Sequence, residues 1–378
     1  MERLEDIKYF DYTATTPVDD EVLNTYVNTT KKFFANTTSL HYLGEESKHM
    51  YEKCMNMIKD ILNVKHHNLV FTSNATEANN LAIFGICDKY KNSKVISTKI
   101  EHPSVYNTMK MIEKNHDVVY LDIKNDGRID LDALKKEIDD NTILVSIMWV
   151  NNIMGAIQPL DEIIRIVKQN PRTLLMVDAV QGVGKLPFDK AFQNVDLITV
   201  SAHKIEGLKG SGLLLYKKGI NLTPHTIGAT QQKGLRPGTI DLAGAAALTK
   251  ALVLAISEQA EHYRYVLELS NYLKDALKAI KDIYINSPVD ASPYILNISI
   301  KNWNSETVMH FLEKRGIYVS VGSACNAKIK KPDRVIYELT KDETRASTTL
   351  RISLSHHNTK TEIDELIKGI KDLLGGAR

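Results

Sequence analysis

The fold of this chain can be worked out from one stretch, Leu197-Ile198-Thr199-Val200-Ser201-Ala202-His203-Lys204. Its β-branched, apolar first half predicts a buried strand that ends at Ser201. Glycines follow at 207, 210 and 212, and a second apolar run begins at Leu213. Lys204 should therefore lie just past the C-terminal end of a strand, at the edge where open α/β sheets bind ligands. An ordinary surface lysine is the alternative.

A carboxylate occupies the same kind of place one strand earlier. The apolar run 173–177 ends at Asp178, and Gln181 follows in the turn. A lysine and an aspartate at the ends of neighbouring strands are the pair that a pyridoxal phosphate enzyme needs. The lysine amine forms a Schiff base with the cofactor aldehyde, and the aspartate keeps the pyridine nitrogen protonated. A helix N-cap remains the alternative role for Asp178.

Composition places the chain among ordinary globular proteins. Its 378 residues are 43% hydrophobic and 25% charged, and the length favours more than one domain. A net charge of +2 gives no reason to expect binding to nucleic acid or to a membrane surface. The N-terminus is charged and no apolar run is as long as a membrane span, so we expect a cytoplasmic enzyme. Three cysteines make no disulfide framework, and we assign no metal ligand.

Strand and helix patterns alternate through the first two thirds of the chain, which predicts an α/β fold with a mostly parallel sheet flanked by helices. The predicted strands are 68–72, 94–97, 117–121, 142–150, 173–177 and 197–201. The predicted helices include 45–62, 78–90 and 131–138. The small and hydroxyl residues at 73–77 predict a phosphate site at a helix N-terminus, with a plain N-cap as the alternative.

A loop over 223–238 and a long helix over 242–280, interrupted at most once, lead to a smaller α+β domain at the C-terminus. Its predicted elements are strands 294–300, 317–321 and 349–353 and helices 305–314 and 361–374. We expect a large domain over 13–255 and a small domain over 256–378, with residues 1–12 packing on the small one.

Nine motifs, in order along nearly the whole chain, resemble the cysteine desulfurases of the NifS/IscS kind, which are class-V aminotransferase relatives. They are Asp11-Tyr12-x-Ala14-Thr15-Thr16-Pro17, Phe71-Thr72-Ser73-x-Ala75-Thr76-Glu77, Glu101-His102, Val150-Asn151-Asn152, Val177-Asp178-Ala179-x-Gln181, Ser201-x-His203-Lys204-x-x-Gly207-x-Lys209-Gly210, Arg236-x-Gly238-Thr239, Gly322-Ser323-Ala324-Cys325 and Leu350-Arg351-Ile352-Ser353. Each motif is weak alone, but nine in sequence are specific. The resemblance implies a pyridoxal phosphate enzyme of fold type I.

The resemblance also implies a role for each matching residue. Lys204 would hold the cofactor, Asp178 would pair with its ring nitrogen and Gln181 with its ring hydroxyl, and His102 would stack on the ring. Phosphate would be held by Ala75, Thr76, Ser201 and His203, with Thr239 reaching in from the other subunit of a homodimer. Asn152 and Arg351 would bind the substrate carboxylate, Arg351 as a bidentate clamp.

Cys325 would be the nucleophile, and its own surroundings favour this. Its neighbours over 322–327 are small and polar, so they cannot bury it well, and the lysines at 328, 330 and 331 would favour a thiolate. An unreactive loop cysteine is the alternative. Cys54 and Cys87 have apolar helical neighbours and are predicted to belong to the core.

Several positions depart from the family pattern. Asn74 stands where the family usually has glycine, and we expect it to tolerate a left-handed conformation. Ile153 replaces a glutamate, and Glu206 and Leu208 replace a tyrosine and a proline. Thr226-Ile227-Gly228-Ala229 replaces a His-Gly-Gly-Gly stretch. The departures indicate a divergent member, with an acceptor protein of its own, and leave the chemical residues intact.

The resemblance implies that L-cysteine is converted to L-alanine and a persulfide on Cys325, which passes to an acceptor thiol in iron–sulfur assembly or tRNA thiolation. The freed Lys204 amine would remove the Cα proton. A same-fold aminotransferase or selenocysteine lyase, which would not need Cys325, is the nearest alternative. A non-catalytic scaffold of the same fold is another. No G-x-G-x-x-G follows a strand, which disfavours a dinucleotide-dependent oxidoreductase.

Overall fold

The computed structural model describes residues 7–187, 190–322 and 332–375. The strands are β1 (Lys8–Tyr9), β2 (His67–Thr72), β3 (Lys94–Thr98), β4 (Asp117–Leu121), β5 (Thr142–Met148), β6 (Leu174–Asp178), β7 (Leu197–Ser201), β8 (Gly212–Lys217), β9 (Ile283–Ile285), β10 (Ile295–Ile300), β11 (Ile317–Tyr318) and β12 (Thr349–Ser353). The helices are α1 (Asp20–Lys32), α2 (Tyr42–Ile61), α3 (Ala75–Cys87), α4 (Pro103–Ile112), α5 (Leu131–Glu137), α6 (Leu160–Val167), α7 (Leu242–Ser257), α8 (Gln259–Lys278), α9 (Ser305–Glu313), α10 (Arg334–Thr340), α11 (Glu343–Ser347) and α12 (Lys360–Gly375).

The main sheet has seven strands in the order β2-β8-β7-β6-β5-β3-β4. The neighbours from β7 to β4 pair in parallel, whereas β8 is antiparallel to both β7 and β2. Because β8 alone is reversed, β2 runs in the same direction as the other strands. The mostly parallel sheet is confirmed, and the carboxyl ends of β2, β3, β5, β6 and β7 all reach one edge.

Both faces of the sheet are covered. Within β7, Ile198 and Val200 belong to one hydrophobic cluster, and Leu197 belongs to a second cluster on the opposite face. Successive side chains of a strand point to opposite faces, so a strand buried on both sides shows a continuous apolar run rather than alternation. This explains why the run 197–200 is apolar throughout apart from Thr199, whose hydroxyl is hydrogen-bonded to Asn79.

The start of α3 corrects two predictions. The helix begins at Ala75 rather than at 78, so Ala75 and Thr76 are its first two residues. Asn74 is the N-cap, and its side chain accepts a hydrogen bond from the Glu77 N–H at 3.0 Å. Its φ of −176° is extended rather than left-handed. Asparagine is therefore suited to this position because it caps the helix, not because it tolerates positive φ.

Gly212, the first residue of β8, allows α3 to begin this close to the sheet. A Cβ at this position would lie 2.6 Å from the carbonyl carbon of Asn74. No side chain fits at that distance, so only glycine lets the helix N-terminus approach the strand ends. The glycine-rich turn after Lys204 is therefore needed for packing as well as for chain reversal.

The C-terminal part has a sheet of three antiparallel strands in the order β12-β10-β9, and β1 pairs in parallel with β11. The helix predicted over 242–280 is broken at Glu258 into α7 and α8, which bend by 63°. The strand predicted over 317–321 is shorter, and β5 ends at Met148 rather than at 150. We propose the division near residue 255 because the seven-stranded sheet ends at Lys217 and the smaller sheet begins at Ile283.

Within the described residues, no single helix is long and apolar enough to cross a membrane. The bent pair of α7 and α8 meets the length and composition test only when the two are joined, and much of α7 is buried in the protein core.

Candidate active site

A cavity of about 340 Å³ opens at the sheet edge where the parallel strands end. Ten of the predicted site residues line it: Ala75, Thr76, His102, Asn152, Asp178, Gln181, Ser201, His203, Lys204 and Arg351. They come from six separate segments of the chain, and Arg351 comes from the smaller sheet. The fold thus brings together residues that are up to 276 positions apart (351 − 75).

Lys204 stands just after β7, as predicted. Its Nζ donates hydrogen bonds to the carbonyl oxygens of Thr13 and Ala14, at 2.6 and 2.5 Å. Both carbonyls belong to the turn that follows β1. The N-terminal motif therefore serves to hold the lysine side chain at the cavity.

Asp178 ends β6 and is 6% exposed. Its Oδ1 accepts from the Val180 N–H at 3.1 Å, and its Oδ2 accepts from Asn79 Nδ2 at 3.0 Å. Residues 180–186 form turns, so the N-cap alternative for Asp178 is wrong. A buried carboxylate held from both sides has a fixed position, which suits the predicted pairing with a protonated ring nitrogen.

Asn79 is a site residue that the sequence analysis missed. It is fully buried in α3, and its amide also donates to Ser104 Oγ at 2.9 Å. Its Oδ1 accepts from Thr199 Oγ1 at 2.7 Å. A polar amide next to the apolar residues 78 and 81–83 of the helix was the signal available in the sequence, since a buried amide requires hydrogen-bond partners.

His102 is the N-cap of α4, with Pro103 at the first helical position. Its Nδ1 accepts from the Ser104 N–H at 3.2 Å and lies 2.8 Å from Ser104 Oγ. Burial lowers the pKa of His102, and the positive charge of Lys204 acts in the same direction. A neutral ring oriented by its own helix suits the predicted stacking position.

Gln181 is held between two partners. Its Nε2 donates to the Thr13 carbonyl at 3.2 Å, and its Oε1 accepts from Lys185 Nζ at 2.8 Å. Burial lowers the pKa of Lys185 to about 7, with the charges of Lys204 and Arg351 acting in the same direction. Lys185 is a second residue near the site that the sequence analysis did not predict.

The predicted phosphate end combines the first turn of α3 with residues after β7. The free N–H groups of a helix N-terminus attract anions. His203 lies opposite, with Nδ1 3.2 Å from Thr15 Oγ1, and burial lowers its pKa to about 4. A neutral imidazole can donate one hydrogen bond to a phosphate oxygen without the desolvation cost of a buried charge.

Arg351 lies on β12 and is 3% exposed. One guanidinium nitrogen donates to the Asn152 carbonyl at 3.0 Å, and the other pairs with Asp11 at 2.8 Å. Arg351 and Asn152 thus meet, as the resemblance implies. Asp11 was quoted in a motif but was not predicted to position the arginine.

Of the eleven buried polar side-chain atoms that have no hydrogen-bond partner among the described residues, three belong to residues that line the cavity: Thr13 Oγ1, Ser201 Oγ and Arg351 Nε. Buried polar atoms are rarely left without a partner unless a ligand supplies one. A phosphate and a carboxylate need such donors. The residues present therefore fit pyridoxal phosphate together with an amino acid.

Two predicted site residues are not in this cavity lining. Thr239 is exposed in the loop before α7. Cys325 lies outside the described residues. Cys54 and Cys87 are 2% and 1% exposed, so both are core residues as predicted, and burial raises the pKa of the Cys87 thiol to about 12.

Comparisons with known proteins agree with this geometry. The family model for aminotransferase class-V matches residues 8–366. A cysteine desulfurase IscS from Methanosarcina thermophila is 34% identical over 370 residues, covering 97% of this chain and 91% of its own length. A solved NIFS-like protein has a TM-score of 0.90 and 34% identity, with 98% of this chain and 99% of its own covered. The solved structure of SspA in complex with cysteine has a TM-score of 0.80 and 31% identity, covering 93% and 100%.

The site and the sheet together define a fold-type-I enzyme with a lysine–aspartate pair. The chain belongs to the class-V aminotransferase family, among the NifS/IscS-like cysteine desulfurases.

Proposed function

We propose that this protein is a cysteine desulfurase that takes sulfur from L-cysteine onto Cys325, releases L-alanine and passes the sulfur to an acceptor protein. The observation that carries this is the meeting of Lys204, Asp178 and Arg351 at one cavity. The first two suit pyridoxal phosphate, and the third suits the carboxylate of an amino acid. The relative solved with cysteine supports the choice of substrate.

Pyridoxal phosphate, when bound, supplies an electron-withdrawing ring that stabilises negative charge at the Cα of an amino acid. Lys204 would hold it, and Asp178 would keep its ring nitrogen protonated. Ala75, Thr76, Ser201 and His203 would hold its phosphate, with Gln181 at the ring hydroxyl and His102 over the ring. Thr239 of a second copy would complete the phosphate contacts in a homodimer.

The chain's own groups then carry out the chemistry. Arg351 and Asn152 bind the substrate carboxylate and orient the Cα–H bond toward Lys204 Nζ, which removes the proton as a general base. The Cys325 thiolate attacks the substrate sulfur. The new S–S bond forms as the Cβ–S bond breaks, and the electron pair left on Cβ takes up a proton. Electrons and atoms balance, because cysteine plus a thiol become alanine plus a persulfide.

A dimer is supported by exposed apolar side chains. Phe34, Leu40 and Tyr42 are 74%, 95% and 70% exposed within one short segment, and Ile227 is 89% exposed in the loop that leads to Thr239. Large apolar side chains exposed within one short segment, as at 34–42, indicate a surface that another protein covers.

Purified protein incubated with L-cysteine and a reductant should release equal amounts of alanine and sulfide. The Cys325→Ser variant should still bind the cofactor and the amino acid but form no persulfide and release no alanine above background, since a hydroxyl stays protonated at neutral pH. Cys54→Ser and Cys87→Ser are the matched controls and should retain turnover, apart from instability caused by a hydroxyl in the core. Alanine release by Cys325→Ser at the parent rate would instead favour the lyase or aminotransferase alternative.

A further inference from the structure

A cluster of imidazoles and a carboxylate lies next to the active-site segment, and the proposed desulfurase chemistry does not use it. Its core, which we call the Glu206 cluster, consists of Glu206, His356 and His357. Glu206 comes two residues after Lys204, and the two histidines follow β12, the strand that carries Arg351. The cluster therefore joins the lysine segment of the large sheet to the arginine strand of the small one.

The ligand atoms are already close together. His357 Nε2 lies 3.0 Å and His356 Nε2 lies 3.5 Å from the same carboxylate oxygen, Glu206 Oε1. One nitrogen or oxygen from each of the three residues lies within 4.8 Å of the others. A tetrahedral zinc ion with bonds of about 2.0–2.1 Å requires its ligands to be about 3.3 Å apart. Small side-chain movements would therefore complete the geometry.

The surroundings hold the ligands in place. The Glu206 N–H donates to Thr16 Oγ1 at 2.9 Å, and its carbonyl accepts from the Asp19 N–H at 2.9 Å. The ring of His356 is stacked on that of His262 with centroids 3.6 Å apart. His356 Nδ1 lies 3.5 Å from Ser355 Oγ, so its second nitrogen has an oxygen partner, as metal-bound histidines usually have.

There is also space for an ion. A separate cavity of about 60 Å³ is lined by Glu206, His262 and His356, and also by Lys185 and Lys204. That volume can hold an ion and a water molecule. His262 Nε2 lies 3.8 Å from Glu258 Oε2, at the break between α7 and α8.

The competing interpretation is a hydrogen-bonded contact in which Glu206 merely joins the two histidines. The geometry goes beyond such a contact, because three rings are in contact around one carboxylate: His262 and His356 are stacked at 3.6 Å between centroids, and His356 and His357 are tilted by 42° at 4.0 Å. Two histidines and one carboxylate, with an open position for water, are also a donor set that zinc and related first-row cations prefer.

We propose that Glu206, His356 and His357 form a site for a first-row divalent cation such as Zn²⁺, which ties the Lys204 segment to the end of β12. One of the three ligands is a departure of this chain from the family pattern, since Glu206 stands where the family usually has a tyrosine. A cation bound here stabilises the folded chain by mass action and fixes the position of Lys204 relative to Arg351.

The test uses the full-length, cofactor-loaded protein with Cys325→Ala, so that the reactive thiol cannot compete for metal. Titration with Co²⁺ should give the visible d–d absorption of a nitrogen and oxygen site at one ion per chain, without a thiolate charge-transfer band. Zn²⁺ should displace the Co²⁺ and raise the thermal midpoint. These readouts do not need turnover, so they remain valid if the desulfurase proposal fails.

Variants then locate the site. His357→Asn and Glu206→Gln should each weaken Co²⁺ binding by at least about 100-fold, because even outer-sphere partners contribute about 10–100-fold. His310→Asn, an exposed histidine paired with Glu313, is the matched control and should bind like the parent. The midpoint without metal reports whether each variant is folded. Absence of stoichiometric Co²⁺ binding by the Cys325→Ala parent, or unchanged binding by folded His357→Asn, would overturn the proposal.

Discussion

Lys185 is only 8% exposed, and its Nζ donates a hydrogen bond of 2.8 Å to Oε1 of Gln181. Gln181 in turn donates to the same Thr13 carbonyl that accepts from Lys204. A buried amine thus orients a residue at the proposed cofactor site. This relationship links the stability of the fold to the geometry of Lys204, the proposed catalytic lysine.

Replacement of Lys185 by Met should change how stability depends on pH. The pKa of Lys185 is lowered from 10.5 to about 7 in the folded chain, so between these values the unfolded chain binds more protons. The stability of the parent therefore rises as pH increases through this window, and Lys185→Met lacks that contribution. The difference in the free energy of urea unfolding, parent minus Lys185→Met, should therefore increase by about 2 kcal/mol between pH 7 and pH 9.

Lys278→Met serves as the control for this prediction. Lys278 is exposed and pairs with Asp275 at the surface, so its difference from the parent should be the same at both pH values. If the difference between the parent and Lys185→Met also stayed constant with pH, Lys185 would have an ordinary pKa in the folded chain.

Asn79→Ala should weaken both stability and cofactor binding. It removes a donor to Asp178 and an acceptor for the Thr199 hydroxyl, both buried, which should cost about 1–3 kcal/mol in urea unfolding. The absorbance of released cofactor on dilution measures the loss of binding. Asn80, at the next position, makes no hydrogen bond to Asp178, so Asn80→Ala should retain the cofactor better than Asn79→Ala. Equal release of cofactor from both variants would contradict the role of Asn79.

Arg351→Lys should lower kcat/KM for L-cysteine by about 10–100-fold, because a lysine cannot provide two parallel hydrogen bonds to a carboxylate. Steady-state alanine release measures kcat/KM, and the KM should rise because the substrate carboxylate is bound less tightly. Arg315→Lys, on the surface beside Phe311, is the control and should leave kcat/KM unchanged. Parent-like kcat/KM for Arg351→Lys would remove Arg351 from the substrate site.

Thr239→Ala tests the dimer. Thr239 is exposed in the single chain, so its replacement should leave the unfolding midpoint of cofactor-free protein unchanged. It should still weaken retention of the cofactor if Thr239 reaches a neighbour's phosphate site. Thr226→Ala, also exposed in the same loop, should change neither the unfolding midpoint nor the retention of the cofactor. Light scattering that finds a catalytically competent monomer at the assay concentration would refute the shared site.

The sequence by itself determined the elements whose signals are local. The apolar run ending at Ser201 and the lysine after it, the alternation of strands and helices, and the strand Thr349–Ser353 could all be predicted, because backbone periodicity and burial act over a few residues. Family motifs further named ten residues that do line one cavity. Helix starts such as Ala75 were displaced by three residues, since capping depends on which side chain happens to reach the free N–H groups.

Contacts between distant segments were decided only by the tertiary structure. The pairs Asn79–Asp178, Asp11–Arg351 and Glu206–His357 join positions 99, 340 and 151 residues apart. No local pattern encodes such pairs, because they depend on strand order, on the reversal of β8 alone and on how the second sheet packs against the first. Hydrogen bonds and charge pairs require a separation of about 3 Å, and only the packed fold fixes atoms to that distance.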